Sequence, residues 1–452
     1  MLAFAFSPEN KLLLLALGSI LGLIILIARL KCNAFIALLL ASLVVGIGSG
    51  MPIADVATTF DAGVGKTLGS LGMIIGLGTI LGKMLAESGA AEVIATTMVR
   101  AVGVKFLDLG VMLVAFLIGI SVFFPVGIVL LGPIAFTLAR ETRTPILRVA
   151  LPLAAGLSTA HGLIPPHPGP MAAIATLHAD TGKTILWSVI FGLPTALVTG
   201  PLLARWVSPR VPVEMGGLGA TASSGGSAPR RPGFAISILT MLLPVLLMLL
   251  GTAADVTLAK GNMLRQWADF IGSPTVAMLV AVLVSFVTFG WNCGLNASQV
   301  LKFSEECVAP ASGIFLVLAA GGGFSNILNV SGVGNAIAGF AGHLPVSPLV
   351  LGWVIAGMLR VAIGSATVAV TMAAGLMHPI VESSGVKVNR ELLVLALGSG
   401  SLILSHVNDS GFWFVKEYLG MSVAQTLKTW TVVETGIAIT SLMLILLASV
   451  LV

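Results

Sequence analysis

The 452-residue chain is 57% hydrophobic and only 9% charged, with a formal net charge of +5. A soluble protein of this length needs about a quarter of its residues charged, and a nucleic-acid surface needs its bases gathered with aromatic residues, not scattered through short loops. Both classes are set aside, and the apolar runs recurring from Lys11 onward define an all-α polytopic membrane protein.

In chain order the first apolar segments are 12–28, 34–50, 67–85, 109–138, 146–177 and 185–206. No small-residue cleavage site follows the first of them, so it is expected to remain in the protein. Residues 207–232 contain GGLGATASSGGSAPRRP and read as a flexible linker. The second set is 234–250, 275–291, 309–327, 349–376, 392–414 and 427–450. The expected organisation is a first repeat over 1–206, a cytoplasmic linker over 207–232 and a second repeat over 233–452.

Local matches between the halves support duplication. LGKMLAESGAAEVIA (81–95) echoes FSNILNVSGVGNAIA (324–338), which places Ser88-Gly89 on Ser331-Gly332. LPLAAG (151–156) echoes LVLALG (393–398) at nearly the same offset. The fourth segment of each half is about thirty residues long, more than one crossing of about 20 and too short for two. FFPVG (123–127) divides the first and GSAT (364–367) the second, so each reads as a re-entrant hairpin. Five crossings plus one hairpin per half is an odd count, and the second repeat is therefore inverted. Lys and Arg favour the cytoplasmic side. An external N-terminus puts Arg29, Arg100, Arg140, Arg143, Arg148 and the linker arginines inside, while Lys260 and Arg265 fall outside beside Asp255 and Asp269.

Two further interruptions lie deep in apolar sequence: GLIPPHPGP (162–170) and LSHVNDSGFW (404–413). Prolines and polar residues at that depth survive only where protein or a water-filled cavity covers them, and matched breaks in two halves point to a transport site. Helix N-termini exposed there attract anions. Gly169 permits close approach by a ligand. Ser365 and Thr367 offer hydroxyls, and His167, His406, Asn408 and Ser410 offer further hydrogen bonds to an oxygen-rich solute. Asp409, an acid at membrane depth, is a functional candidate by default. Proton exchange, a structural role and ligand contact are its three readings. Arg360 could attract a carboxylate or snorkel to the surface. Lys83, Glu87 and Glu92 read as a solvated turn. Gly321, Gly322 and Gly323 read as either a packing face or a flexible joint. No metal site is expected, since His161 and His167 lack a Cys or acidic partner nearby, and no cofactor is expected. GVGKTLGS (63–70) lacks the glycine spacing of a phosphate-binding loop.

The motifs FFPVGIVLLGP (123–133), PPHPGP (165–170), GSATVAVTMAAG (364–375) and SHVNDSGFW (405–413) together resemble the gluconate permease family of the ion transporter superfamily, over nearly the whole chain. The resemblance implies a secondary carrier of the bacterial inner membrane that imports gluconate or a related small sugar acid by proton symport. D-serine, glycerate or another hydroxycarboxylate is the alternative cargo. It also implies a homodimer of inverted-repeat protomers and a site formed by the hairpin tips and the two breaks. With the proton placed on Asp409, the expected solute contacts are Ser365, Thr367, His167 and Asn408, supported by Gly169, His406 and Ser410. Phe123 and Phe124 replace a polar pair at the first tip, so no sodium site is carried over. A passive channel and an intramembrane enzyme are the competing classes.

Overall fold

A chain that crosses lipid must satisfy its backbone internally, and the helix does so within one segment. The computed structural model describes residues 8–30, 32–214, 227–259, 261–306, 308–333, 336, 346–383, 388–406 and 409–450, and all regular structure among them is helical. Seven helical stretches among the described residues are long and apolar enough to cross a membrane. The molecule is a multi-pass membrane protein.

The first half comprises α1 (Pro8–Ile24), α2 (Ala34–Ser49), α3 (Ile53–Glu87), α4 (Ala90–Val102), α5 (Leu107–Gly119), α6 (Phe124–Glu141), α7 (Leu147–Leu163), α8 (Pro168–Leu177) and α9 (Thr181–Val207). The second comprises α10 (Phe234–Thr257), α11 (Met263–Gly272), α12 (Pro274–Cys293), α13 (Ala297–Glu306), α14 (Val308–Val330), α15 (Pro348–Ile363), α16 (Ala366–Ser383), α17 (Arg390–Gly400), α18 (Ser410–Leu419) and α19 (Val423–Ser449). The expected hairpins are α5–α6 and α15–α16, and the expected broken helices are α7–α8 and α17–α18. The second break begins earlier than its polar residues suggest, because α17 already ends at Gly400.

Besides the short α11, three elements differ from the hydropathy reading. Helix α3 begins at Ile53 rather than near Thr67, because the exposed Asp55 and Asp61 lower the hydropathy of its first turns without breaking it. Helix α4 buries Ala90, Ala91, Ile94, Ala95 and Val99 along one face and is too short and amphipathic to register as a span. Helix α13 is a second short amphipathic element, burying Val300 and Phe303.

The most extensive helix pair is α3 with α14, and both carry part of the sequence that matches between the halves. Small residues let their backbones meet. A methyl group at Gly322 would lie 1.9 Å from Thr67 Oγ1 and 2.8 Å from the Gly63 carbonyl oxygen. Asn326 Nδ2 donates to the Thr59 carbonyl across the same contact (2.7 Å). The glycine triplet is therefore a packing face inside a continuous helix. The two Ser-Gly pairs share one local geometry. Each serine hydroxyl donates to the carbonyl three residues back (Leu85, Leu328) and accepts from the amide two residues on (Ala90, Val333). Gly89 and Gly332 take φ of 72° and 76°, where a side chain would be strained.

Overpacking this contact has a defined cost. Gly322→Ala is expected to lower stability by about 1–3 kcal/mol, read as a lower unfolding temperature in detergent. Gly65→Ala, two residues from Gly63 but with open space around it, is expected to leave that temperature unchanged or raise it.

Candidate transport site

Where four helices are interrupted, their ends enclose a cavity of about 610 Å³. That volume falls within the roughly 300–1,000 Å³ of small-molecule sites. Val122–Val126 of the first hairpin line it, as do Arg360 and Ser365–Val368 of the second, Leu402, Asp409 and Gly411 of the second break, and Ser158 and His161 on α7. Trp430 and Glu434 enter from α19, and Lys83 and Glu306 stand with Thr79, Gly82 and Ala86 on another wall.

Three helices, α6, α16 and α18, present first-turn residues to this space. Pro125 opens α6, where a missing N–H costs nothing and a fixed φ starts the helix. Ser365 precedes α16, and its hydroxyl accepts from the Val368 amide (3.4 Å). Asp409 caps α18 by accepting from the Gly411 amide (2.9 Å). The first amides of a helix lack intrahelical partners, and the helix dipole places positive potential there. Three such ends around one cavity favour an anion.

Arg360 sits one turn before the Gly364 bend and is 4% exposed. It does not snorkel. Its guanidinium is ion-paired with Asp409, which is 6% exposed. The Ser405 hydroxyl also donates to Asp409, and Trp430 Nε1–H donates to Ser405 Oγ (2.8 Å). Among the described residues Arg360 Nε has no hydrogen-bond partner and is buried. The cavity wall thus contains a buried guanidinium whose Nε–H lacks a partner among the described residues.

The histidines occupy different layers. His167 is buried, and its Nε2 meets the Gly119 carbonyl at the end of α5. In the neutral ring Nε2 is then the donor and Nδ1 the acceptor, so across the 3.2 Å contact with His161 Nδ1 the proton belongs to His161. His161 reaches the cavity and His167 stands behind it. Gly169 packs against the first turn of α16, where an added methyl would lie 3.7 Å from Thr367 Cα. His406 Nε2 meets the Val361 carbonyl at 3.1 Å. Of the residues expected from sequence, Ser365, Thr367 and Asp409 line the cavity, while His167, Gly169 and His406 brace its walls. Asn408 and the side chain of Ser410 lie outside the described residues.

Three charged cavity groups, Glu434, Lys83 and Glu306, escaped the sequence reading. Glu434 is 1% exposed and accepts a hydrogen bond from Ser158. It lies inside an unbroken helix with no proline, glycine pair or polar run to mark it, and the one available signal was an acid within a hydrophobic span. Lys83, expected in a solvated turn, lines the cavity and pairs with Glu87 (2.8 Å) and Glu306 (3.5 Å). The end of the linker docks on the same side. Ser227 donates to Glu87 (2.6 Å), and Arg231 pairs with Glu92 (2.9 Å).

A helical membrane protein that holds a charged cavity between interrupted helices has the architecture of a solute carrier. Residues 11–451 match the family described as GntP family permease, and the chain belongs to that family. It is 46% identical to a gluconate permease of Zymomonas mobilis, covering 97% of this chain and 98% of that one. It is also 46% identical to a gluconate permease of Pseudomonas aeruginosa, covering 99% of each. Its fold resembles the Alcanivorax borkumensis YdaH transporter, with a TM-score of 0.63 at 19% identity, covering 87% of this chain and 88% of that one.

Removing one member of a buried ion pair leaves the other uncompensated, at about 3–5 kcal/mol, whereas an apolar replacement of the pair is often neutral. Asp409→Asn is therefore expected to destabilise the detergent-solubilised protein by that amount. Arg360→Met combined with Asp409→Asn is expected to recover most of it in the same thermal assay while remaining unable to bind an organic anion.

Proposed function

We propose that this protein imports gluconate or a closely related sugar acid across the bacterial inner membrane by proton symport, working as a homodimer. The observation that carries the reading is Arg360, buried with an unspent donor in a cavity ringed by three helix N-termini. A guanidinium and helix ends suit a carboxylate. The Ser365 and Thr367 hydroxyls suit the hydroxylated carbons of a sugar acid, and His161 adds a ring nitrogen. His167, Gly169 and His406 hold the walls, and Asn408 and Ser410 flank the acid at 409. Full-length similarity to two gluconate permeases supports the choice of cargo. The proton resides on a carboxyl of the cavity, where Asp409 and Glu434 stand.

The same reading takes 1–206 and 233–452 as inverted repeats joined by a cytoplasmic linker at 207–232. The shared geometry of the Ser88-Gly89 and Ser331-Gly332 turns supports duplication. The arginines at 205, 210, 230 and 231 support the cytoplasmic assignment of the linker. Linker contacts near Lys83 then make the described state one whose cavity approaches the cytoplasm.

Proteoliposomes supplied with labelled gluconate test this. Accumulation above equilibrium is expected only under an inward proton gradient, and unlabelled gluconate is expected to compete where D-serine does not. Accumulation that survives collapse of the gradient, with membrane potential clamped, would remove proton coupling. Arg360→Lys keeps the charge and loses the planar fork, and is expected to weaken gluconate binding by about tenfold or more, measured by calorimetry.

A further inference from the structure

Resting on the proton-coupled reading, we infer that Glu434, held by Ser158, gains and releases the coupled proton, and that Asp409 is the fixed counter-charge of Arg360. The two acids line one cavity but are held differently. Asp409 meets three donors: the Arg360 guanidinium, the Ser405 hydroxyl and the Gly411 amide. Each favours a carboxylate ion. Glu434 accepts from one hydroxyl, and among the described residues no cation lies within ion-pairing distance of it. An ionised carboxylate so buried and so sparsely bonded is held only at a cost, and an anion brought beside it raises that cost until a proton is taken up.

The neighbours leave this assignment intact. The charged or titratable groups that share the cavity core with Glu434 are Arg360 from α15, Asp409 from the second break and His161 from α7. The remaining titratable side chains of the helices packed on α19, namely α7, α9, α15, α17 and α18, fall in their terminal turns. Lys428 on α19 itself is exposed. Lys83 pairs with both Glu87 and Glu306 on the α3–α13 wall.

Charge counting then sets the stoichiometry. Arg360 and Asp409 cancel. With Glu434 ionised the core carries one negative charge, and a bound monocarboxylate raises this to two. A proton on Glu434 brings it back to one. Binding of the anion therefore draws one proton onto Glu434, so that anion and proton cross together and the complete transport cycle moves no net charge. Ser158 lies little more than a turn before the α7–α8 break, so a change in that break alters the hydroxyl on which the acid depends. Trp430, one turn earlier on α19, donates to the Ser405 that holds Asp409. The same helix thus touches both acids.

The test uses the full chain in weakly buffered detergent solution with a pH indicator. On adding gluconate, the wild type is expected to take up about one proton per anion bound. Glu434→Gln keeps an acceptor for Ser158 and is expected to bind gluconate with no proton uptake. In proteoliposomes its accumulation ratio under a proton gradient falls to one, and its remaining uptake follows membrane potential instead. Glu434→Asp is expected to restore proton uptake. Gluconate-dependent proton uptake by Glu434→Gln equal to the wild type would overturn the assignment. Should Glu434→Gln fail to bind, Ser158→Ala decides: a moved pH midpoint for proton uptake supports the pair, and an unmoved one overturns it. Absence of proton uptake by the wild type would count against the symport reading itself, independently of Glu434.

Discussion

A single charge buried in a medium of low dielectric is too costly to persist, and the pairing of Arg360 with Asp409 is how this fold keeps one. The pair joins the end of α15 to the start of α18, two places where the helical backbone has already been given up. The surrounding arrangement follows from holding that guanidinium. Ser405 and the Gly411 amide complete the carboxylate, Trp430 orients Ser405, and Phe124 packs against Trp430 with ring centroids 5.0 Å apart. A chain of ordinary contacts thereby links the first hairpin to the second break through one charge.

Interrupting helices inside a membrane also exposes backbone groups that must go somewhere. Here the first turns of α6, α16 and α18 face a shared cavity, and carbonyls at the ends of α5 and α15 are met by His167 and His406. The protein thus meets the carbonyl ends with histidines and turns helix N-termini toward the solute. That division selects negatively charged cargo before any single side chain is considered. Close glycine contacts such as Gly162 on Gly398, where an added methyl at Gly398 would lie 2.4 Å from the Gly162 carbonyl oxygen, bring the two broken helices near enough to share the site.

Much of this was legible in the sequence because the devices are chemically loud. Pro165, Pro166 and Pro168 cannot continue a helix, and Gly364 stands at φ 83° where the second hairpin turns. Ser365, Thr367 and Asp409 were legible for the same reason, lying beside those signals. What stayed hidden was quiet. Glu434 interrupts nothing, and Lys83 resembles any charged residue at the end of a span. The roles of His161 and His167 depended on which ring stands in front, and spacing along one chain does not contain that information. Helix α3 was read short because hydropathy averages over exposed acids that a helix tolerates. The partner of Arg360 lies 49 positions away, and periodicity speaks only to neighbours within a few turns.

The four interruptions are also laced to one another. His167 ties the first break to the first hairpin at Gly119, Gly169 rests on the second hairpin at Thr367, and His406 with the Arg360 ion pair ties that hairpin to the second break. Because these links run through all four, no lip of the binding chamber can swing away without dragging the others. Cargo that settles against one lip is therefore felt at all four.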